Sequence, residues 1–233
     1  MADKEIALIV GVGRGLSASL ARRLAKEGVQ VVLAARDTAK LDGLVKETSA
    51  RAYGCDATDE AAVEGLFRAV TADFGEPDLV VYNASGRTRG PIVELEADAV
   101  RGAIMTSSYA GFLVGRAAAR QMTVRKDGAI FFTGASASVK GYPNSSAFAM
   151  GKFALRGLCQ SLARELHPQN IHIAHFVIDG GILQGPDDAR ADGRGPDGML
   201  HPDAIAETYY NTWRQHRSAW TWEVEMRPWV EKF

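Results

Sequence analysis

Cysteine is almost missing from this chain. Only Cys55 and Cys159 are present, far apart and without metal-ligand spacing, which excludes a disulfide framework and a cysteine-based zinc module. Both thiols are expected as reduced core side chains, with a reactive thiol as the lesser alternative. An excess of one charge is missing too: 27 Lys and Arg face 28 Asp and Glu, a net charge of -1. No field therefore favours nucleic acid or an anionic membrane. Long apolar runs are absent, and none approaches the roughly 18 residues that span a bilayer. The charged start, Met1-Ala2-Asp3-Lys4-Glu5, leads directly into an apolar strand and leaves no room for a signal peptide. The expectation is a cytoplasmic protein with neither a membrane nor a nucleic-acid partner. The five histidines (167, 172, 175, 201 and 216) form no paired motif. They are expected at surface or strand positions, and no metal site is expected. There is no repeat of 20–50 residues and no internal linker.

What the chain does have is alternation. Short β-branched apolar runs at Ile6–Val10, Val29–Ala35, Ala52–Cys55, Leu79–Tyr82, Ala129–Thr133 and Ile171–Ile178 are separated by helical patterns. The latter cover Ser17–Lys26, Thr38 to about Ser49, Asp59 (a plausible N-cap) towards Phe74, Leu95–Val124 and Ser146–Leu166. After Pro202 a helix resumes through about Gln215, and Ser218–Met226 alternates as a last strand. This is the signature of an α/β fold: one doubly wound, Rossmann-type domain over 1–233, its parallel sheet of about seven strands flanked by helices on both faces. The segment Gly180–Gly198 breaks the rhythm. It reads either as a disordered surface loop or as a lid at about 180–200 over a ligand. All four tryptophans fall at 213, 220, 222 and 229, which suits either core packing of the tail or a subunit interface.

The first strand ends in Gly11-Val12-Gly13-Arg14-Gly15-Leu16-Ser17 and a helix starts at once. Glycines permit a tight turn there, and the helix N-terminus offers unpaired N–H donors to a pyrophosphate. A strand before and a helix after, at the first turn of the sheet, give the pattern its weight. In a dinucleotide fold an acidic residue at the end of the second strand bonds the adenosine ribose. Here that strand ends Leu33-Ala34-Ala35-Arg36. Arg36 and Arg14 together suit a ribose 2′-phosphate through charge-assisted bonds. The expected cofactor is therefore NADP(H), with NAD(H) second; the bland alternative is a pair of solvated surface charges.

On these residues the chain resembles the short-chain dehydrogenase/reductases over nearly its whole length. Gly11…Gly15 looks like the family's TGxxxGxG, with Val10 for Thr and Ser17 for the last Gly. Asp56-Ala57 is similar to its adenine-contacting pair, and Asn83-Ala84-Ser85-Gly86 to its NNAG element. Lys152 falls at the lysine of YxxxK, and Asp179-Gly180-Gly181, followed by Ile182, stands where a Pro-Gly follows the sixth strand. The resemblance implies cofactor contacts from these residues and from Leu16, and a homodimer or homotetramer paired through the long helices. It also implies a catalytic tyrosine, which is missing: the segment reads Phe148-Ala149-Met150-Gly151-Lys152, and phenylalanine has no proton to give. The serine position falls on Ala135, with Ser136 and Ser138 adjacent, and the asparagine position on Ser107. Lys152, Ser136, Ser107 and Phe148 are thus the candidate catalytic set, with Tyr142, Tyr109 and Asp179 as further candidate proton donors. Two functions follow. One is an NADP(H)-dependent oxidoreductase with a non-standard site acting on a small carbonyl, alcohol or activated double bond. The other is a non-catalytic NADP(H)-binding protein, either a redox sensor or a partner subunit.

Overall fold

Strand β1 (Ile6–Val10) is buried along its whole length. A strand that never alternates with polar residues must have both faces covered, and the topology supplies the cover. The computed structural model describes residues 4–185 and 187–232. The other strands are β2 (Gln30–Ala35), β3 (Arg51–Gly54), β4 (Leu79–Tyr82), β5 (Gly128–Thr133), β6 (Ile171–Ile178) and β7 (Glu223–Met226). They form a seven-stranded sheet in the order β3-β2-β1-β4-β5-β6-β7, and every pairing is parallel. The expected Rossmann-type sheet is what forms.

Helices α1 (Leu16–Lys26), α2 (Asp42–Thr48) and α7 (Pro202–Trp213) cover one face, where Leu20, Leu24, Leu44, Ile205 and Tyr209 join Ile9, Leu33 and Phe131. Helices α3 (Glu60–Asp73), α5 (Ala110–Arg125) and α6 (Ser146–Leu166) cover the other, packing Val63, Phe67, Leu113 and Leu155 on Leu8, Val80 and Phe132. As expected, Asp59 caps α3, its carboxylate accepting from Ala61 N–H at 2.9 Å. Both cysteines are buried in this second core. Burial pushes the Cys55 thiol up to about 11, which suits an inert core residue.

Several sequence expectations need correction. The stretch expected as one helix over Leu95–Val124 is α4 (Ala97–Ile104) joined to α5 by a π-helical turn at Met105–Tyr109. Periodicity cannot register such a single-turn widening. The helix expected from Thr38 opens instead with a 3₁₀ turn at Ala39–Leu41. His172 and His175 take the strand alternative of their expectation: both are buried in β6, and desolvation holds each imidazole down to about 4. His172 stacks on Trp220 at 4.6 Å, while Trp222 packs against the core and Trp229 is exposed. The loop after β6 has local order. Ile182 bridges Leu200, Leu183 N–H donates to the Leu200 carbonyl at 3.0 Å, and a 3₁₀ turn forms at Ala189–Ala191.

A parallel sheet brings all its carboxyl ends to one edge. The residues following Val10, Tyr82, Thr133 and Ile178 therefore share that edge. The chain reverses direction between β1 and β4, which is where open α/β sheets form their crevice.

Candidate active site

The glycine turn is tight for a stated reason. Gly11 has φ of +89°, and a Cβ on it would lie 2.3 Å from the backbone nitrogen of Ala84. Only glycine allows that backbone and that approach. The turn is tied across the crevice: Asn83 Nδ2 donates to Ser17 Oγ at 2.6 Å and to the Gly11 carbonyl at 3.3 Å. Ser17 Oγ donates in turn to the same carbonyl at 3.2 Å. Helix α1 starts at Gly15 with no side-chain cap and no acidic residue in its first turn. Its leading N–H groups and positive dipole end are thus left for an anion. Arg14 and Arg36 both stand exposed at this end, and neither has a hydrogen bond or salt bridge among the described residues. Asp56 follows β3 at the same edge. Its carboxylate accepts from Thr58 N–H at 3.0 Å and from the Thr58 hydroxyl at 2.8 Å. Those bonds hold it below the usual carboxylate range, and Arg36 contributes. Ala57 packs against the core beside it. The structure therefore gathers Gly11, Gly13, Arg14, Gly15, Leu16, Asn83 and Ala84 at one edge, in a form that fits a phosphorylated dinucleotide.

The loop after β6 lies over the same turn: the Gln184 amide comes within 3.9 Å of where a Gly15 Cβ would stand. Gly180, Gly181 and Ile182 sit between β6 and this loop, and Leu200 N–H donates to the Gly181 carbonyl at 2.9 Å. Asp179 is buried, and its carboxylate lies 3.2 Å from Lys140 Nζ and 3.5 Å from Arg227. Its role here is to hold the loop after β5 against the segment after β7.

Lys152, on α6, is fully buried, and its ammonium donates to the Thr133 carbonyl at 2.6 Å. Burial brings it down to about 7, with repulsion from Arg87 adding to the effect. One turn earlier, Phe148 packs with Ala135 and Ala137 as a small apolar cluster of its own. The positions that the family resemblance assigns to tyrosine and serine are thus a single greasy patch. Ser107, at the asparagine position, is in the π-helical turn and fully buried. Its hydroxyl accepts from Gly86 N–H and donates to the Gly86 carbonyl, both at 3.1 Å, so it is consumed by the backbone. Ser138 likewise accepts from Ala135 N–H. Ser136 alone keeps a half-buried hydroxyl without a side-chain partner among the described residues. Tyr109 and Tyr142 are exposed.

Sequence reasoning missed Arg87. Its guanidinium carbon lies 4.1 Å from the Phe148 ring centroid, a cation–π distance. Its one mark in the sequence is that it directly follows the Asn83–Gly86 element.

A sequence model of the short chain dehydrogenases matches residues 5–184. The 3-oxoacyl-[acyl-carrier-protein] reductase MabA of Mycobacterium tuberculosis is 29% identical over 175 residues, covering 75% of this chain and 68% of that protein. The corresponding FabG of Escherichia coli is 27% identical over 184 residues, 78% of this chain and 75% of that one. Among solved structures, a short-chain dehydrogenase from Rhodopseudomonas palustris is 34% identical, with a TM-score of 0.84 over 97% of this chain and 99% of the other. A metagenomic short-chain oxidoreductase in complex with NADP is 26% identical, with a TM-score of 0.85 over 98% and 99%.

Proposed function

The chain belongs to the short-chain dehydrogenase family, and from that premise we propose that it is an NADP(H)-dependent oxidoreductase with a non-standard active site, acting on a small carbonyl, alcohol or activated double bond. The observation that carries the reading is the intact cradle: a Gly11 that tolerates no side chain, an uncapped α1 and two unpaired arginines beside it. Gly11, Gly13, Gly15 and Leu16 receive the pyrophosphate on backbone N–H groups. Arg14 and Arg36 receive the 2′-phosphate, which sets NADP(H) above NAD(H). Asp56 and Ala57 flank the adenine, and Asn83, Ala84 and Ser85 form the wall behind the cofactor. Lys152 reaches the nicotinamide ribose, and Gly180, Gly181 and Ile182 open a lid over about 180–200 within one 1–233 domain. When bound, the cofactor would give hydride to a carbonyl or activated double bond as NADPH, or take it from an alcohol as NADP⁺. The chain's own residues orient the substrate beside it and keep water out, with the Ser136 hydroxyl, which has no side-chain partner among the described residues, at the head of the site. Exposed Phe112 on α5 and Phe153 on α6 support pairing of these helices in a homodimer or homotetramer. No described helix is long and apolar enough to cross a membrane, and the reading keeps the protein in the cytoplasm.

The apolar cluster of Phe148, Ala135 and Ala137 favours a second reading, a protein that binds NADP(H) and has lost the chemistry. One experiment separates them. Purified protein is titrated with NADPH and NADH by nicotinamide fluorescence, then assayed at saturating NADPH on carbonyl and enone substrates. The oxidoreductase reading expects NADPH to bind at least tenfold tighter than NADH, with turnover that falls in Lys152→Ala. Binding without turnover selects the second reading, and binding of neither nucleotide sinks both.

A further inference from the structure

The carboxyl edge of β4, β5 and β6 carries cations without matching acids. Arg87 lies across the Phe148 ring, and Lys152 Nζ is 6.0 Å from the same centroid. Arg89 and Arg190 are close enough that their charges, after burial, act against that of Arg87. Of the acids here, Asp179 and Asp188 are engaged, while Asp187 and Asp192 face solvent. Asp188 is bound by Arg190 through Nε at 2.8 Å and NH2 at 2.6 Å, and Asp179 by Lys140 and Arg227. Among the described residues Arg87 and Arg89 have neither a hydrogen bond nor a salt bridge. The segment that holds them is fixed, since Gly90 N–H donates to the Asn144 carbonyl at 3.1 Å, tying it to the loop before α6.

The Arg87 guanidinium, 4.1 Å over the Phe148 ring, has no acceptor among the described residues, and a guanidinium can grip a carboxylate with two parallel bonds. A guanidinium and a buried ammonium against one ring, with no acid paired to Arg87 among the described residues, suit an anion. Its position also says which anion. Phe148 occupies the place that the family resemblance assigns to the hydroxyl facing the reacting carbon. Arg87 therefore lies beside the position to which the resemblance assigns the reacting carbon.

We propose that the substrate is a small oxo acid, whose carboxylate is held by Arg87 against the Phe148 ring while Arg89 adds to the local positive field. The inference rests on the oxidoreductase reading and names its substrate class. Arg87 here is a specificity-determining residue for a ligand next to the reacting centre.

The test uses the full-length protein saturated with NADP⁺, so that binding is read without turnover. It is titrated by calorimetry with 2-oxo and 3-oxo carboxylates of three to six carbons and with their uncharged amides. The expected result is binding of carboxylates at least tenfold tighter than of the matching amides, weakening as salt rises. Arg87→Met should abolish the preference, while Arg87→Lys retains part of it. An unchanged NADPH affinity in both variants reports an intact fold; if Arg87→Met misfolds, the amide comparison and salt series on the wild type decide alone. Equal binding of acids and amides overturns the proposal, as does failure of both classes to bind a protein that binds NADPH, or a preference that survives in Arg87→Met. Failure of NADPH itself to bind overturns the oxidoreductase reading instead. The carboxylate titration, repeated without nucleotide, then decides the anion site by the same tenfold criterion.

Discussion

The two sides of the crevice differ in what they are made of. On the β1–β3 side the cradle proposed for the pyrophosphate is backbone: glycine N–H groups, an uncapped helix end, and a turn locked by Asn83 and Ser17. On the β4–β6 side the groups that matter to a reaction are side chains, and there the hydroxyl positions are Phe148 and Ala135, packed as an apolar cluster, or Ser107, bonded to the Gly86 backbone. A backbone cradle is specified by where side chains cannot fit, so it resists drift. A proton-transfer site depends on single functional groups, and one substitution removes it.

The largest expected effect breaks the cradle. Gly11→Ala places a methyl 2.3 Å from the Ala84 nitrogen at a φ of +89°, where an L residue is strained and a main-chain neighbour has to move. The expected cost is about 3 kcal/mol or more of stability, with NADPH binding lost, read by thermal melts and fluorescence titration. An alanine variant that melts and binds like the wild type would remove the claim that this turn is set by exclusion.

Next in size, Phe148→Tyr asks how much of the other side can be restored. General acid–base help is worth about 10²–10⁴-fold. The expected gain in kcat is at the low end, about 10²-fold, because Ala135 still offers no hydroxyl to orient the substrate oxygen. NADPH affinity should not change. No gain, in a wild type that turns over, would mean that protons already travel by another route.

A smaller effect is expected at the cradle's rim. Arg36→Ala removes one charge-assisted contact, worth about 1.5–3 kcal/mol when desolvated and less at an exposed site. NADPH should weaken by about tenfold while NADH is unaffected, and Arg14→Ala should act in the same direction. Equal losses for both nucleotides would move these arginines off the 2′-phosphate.

The β1–β3 side was also the legible one. β1 and the glycine turn could be placed from residues alone because a tight βα turn needs particular residue types at particular offsets. The alternation of strands and helices gave the sheet for the same reason. The π-helical turn at Met105–Tyr109 was invisible, since it changes the helix by one residue without altering composition. The expectation of surface or strand positions left the burial of His172 and His175 open, because histidine in a strand carries no mark of which neighbours desolvate it. Arg87 was missed for a different reason. Its meaning comes from Phe148, some sixty residues later in the chain, and from the carboxylate it lacks, both properties of the folded edge.

Lys152 belongs to both sides of the comparison, so it sharpens it most finely. Its ammonium is buried and brought down to about 7, chiefly by desolvation, against about 10.4 in an unfolded chain. A folded value below the unfolded one means that the unfolded chain binds more protons between the two. Stability contributed by this position is therefore present at high pH, declines as pH falls from about 10 to 7, and is fully lost below. Lys152→Met keeps the length and removes the charge. It also leaves the Thr133 carbonyl without its 2.6 Å donor, a loss of about 1–3 kcal/mol that offsets part of a relief of roughly 4–5 kcal/mol. The expected net gain near pH 6 is about 2 kcal/mol, a rise in Tm of about 4–8 °C for a chain of this size. By pH 10 the gain should shrink and reverse, as the relief vanishes and the lost bond remains. NADPH affinity should fall severalfold at every pH. A variant that is more stable and binds worse would identify Lys152 as a cation kept for the ligand at the expense of the fold. A variant that is less stable at pH 6 would make it a structural residue, held in place by its bond to Thr133.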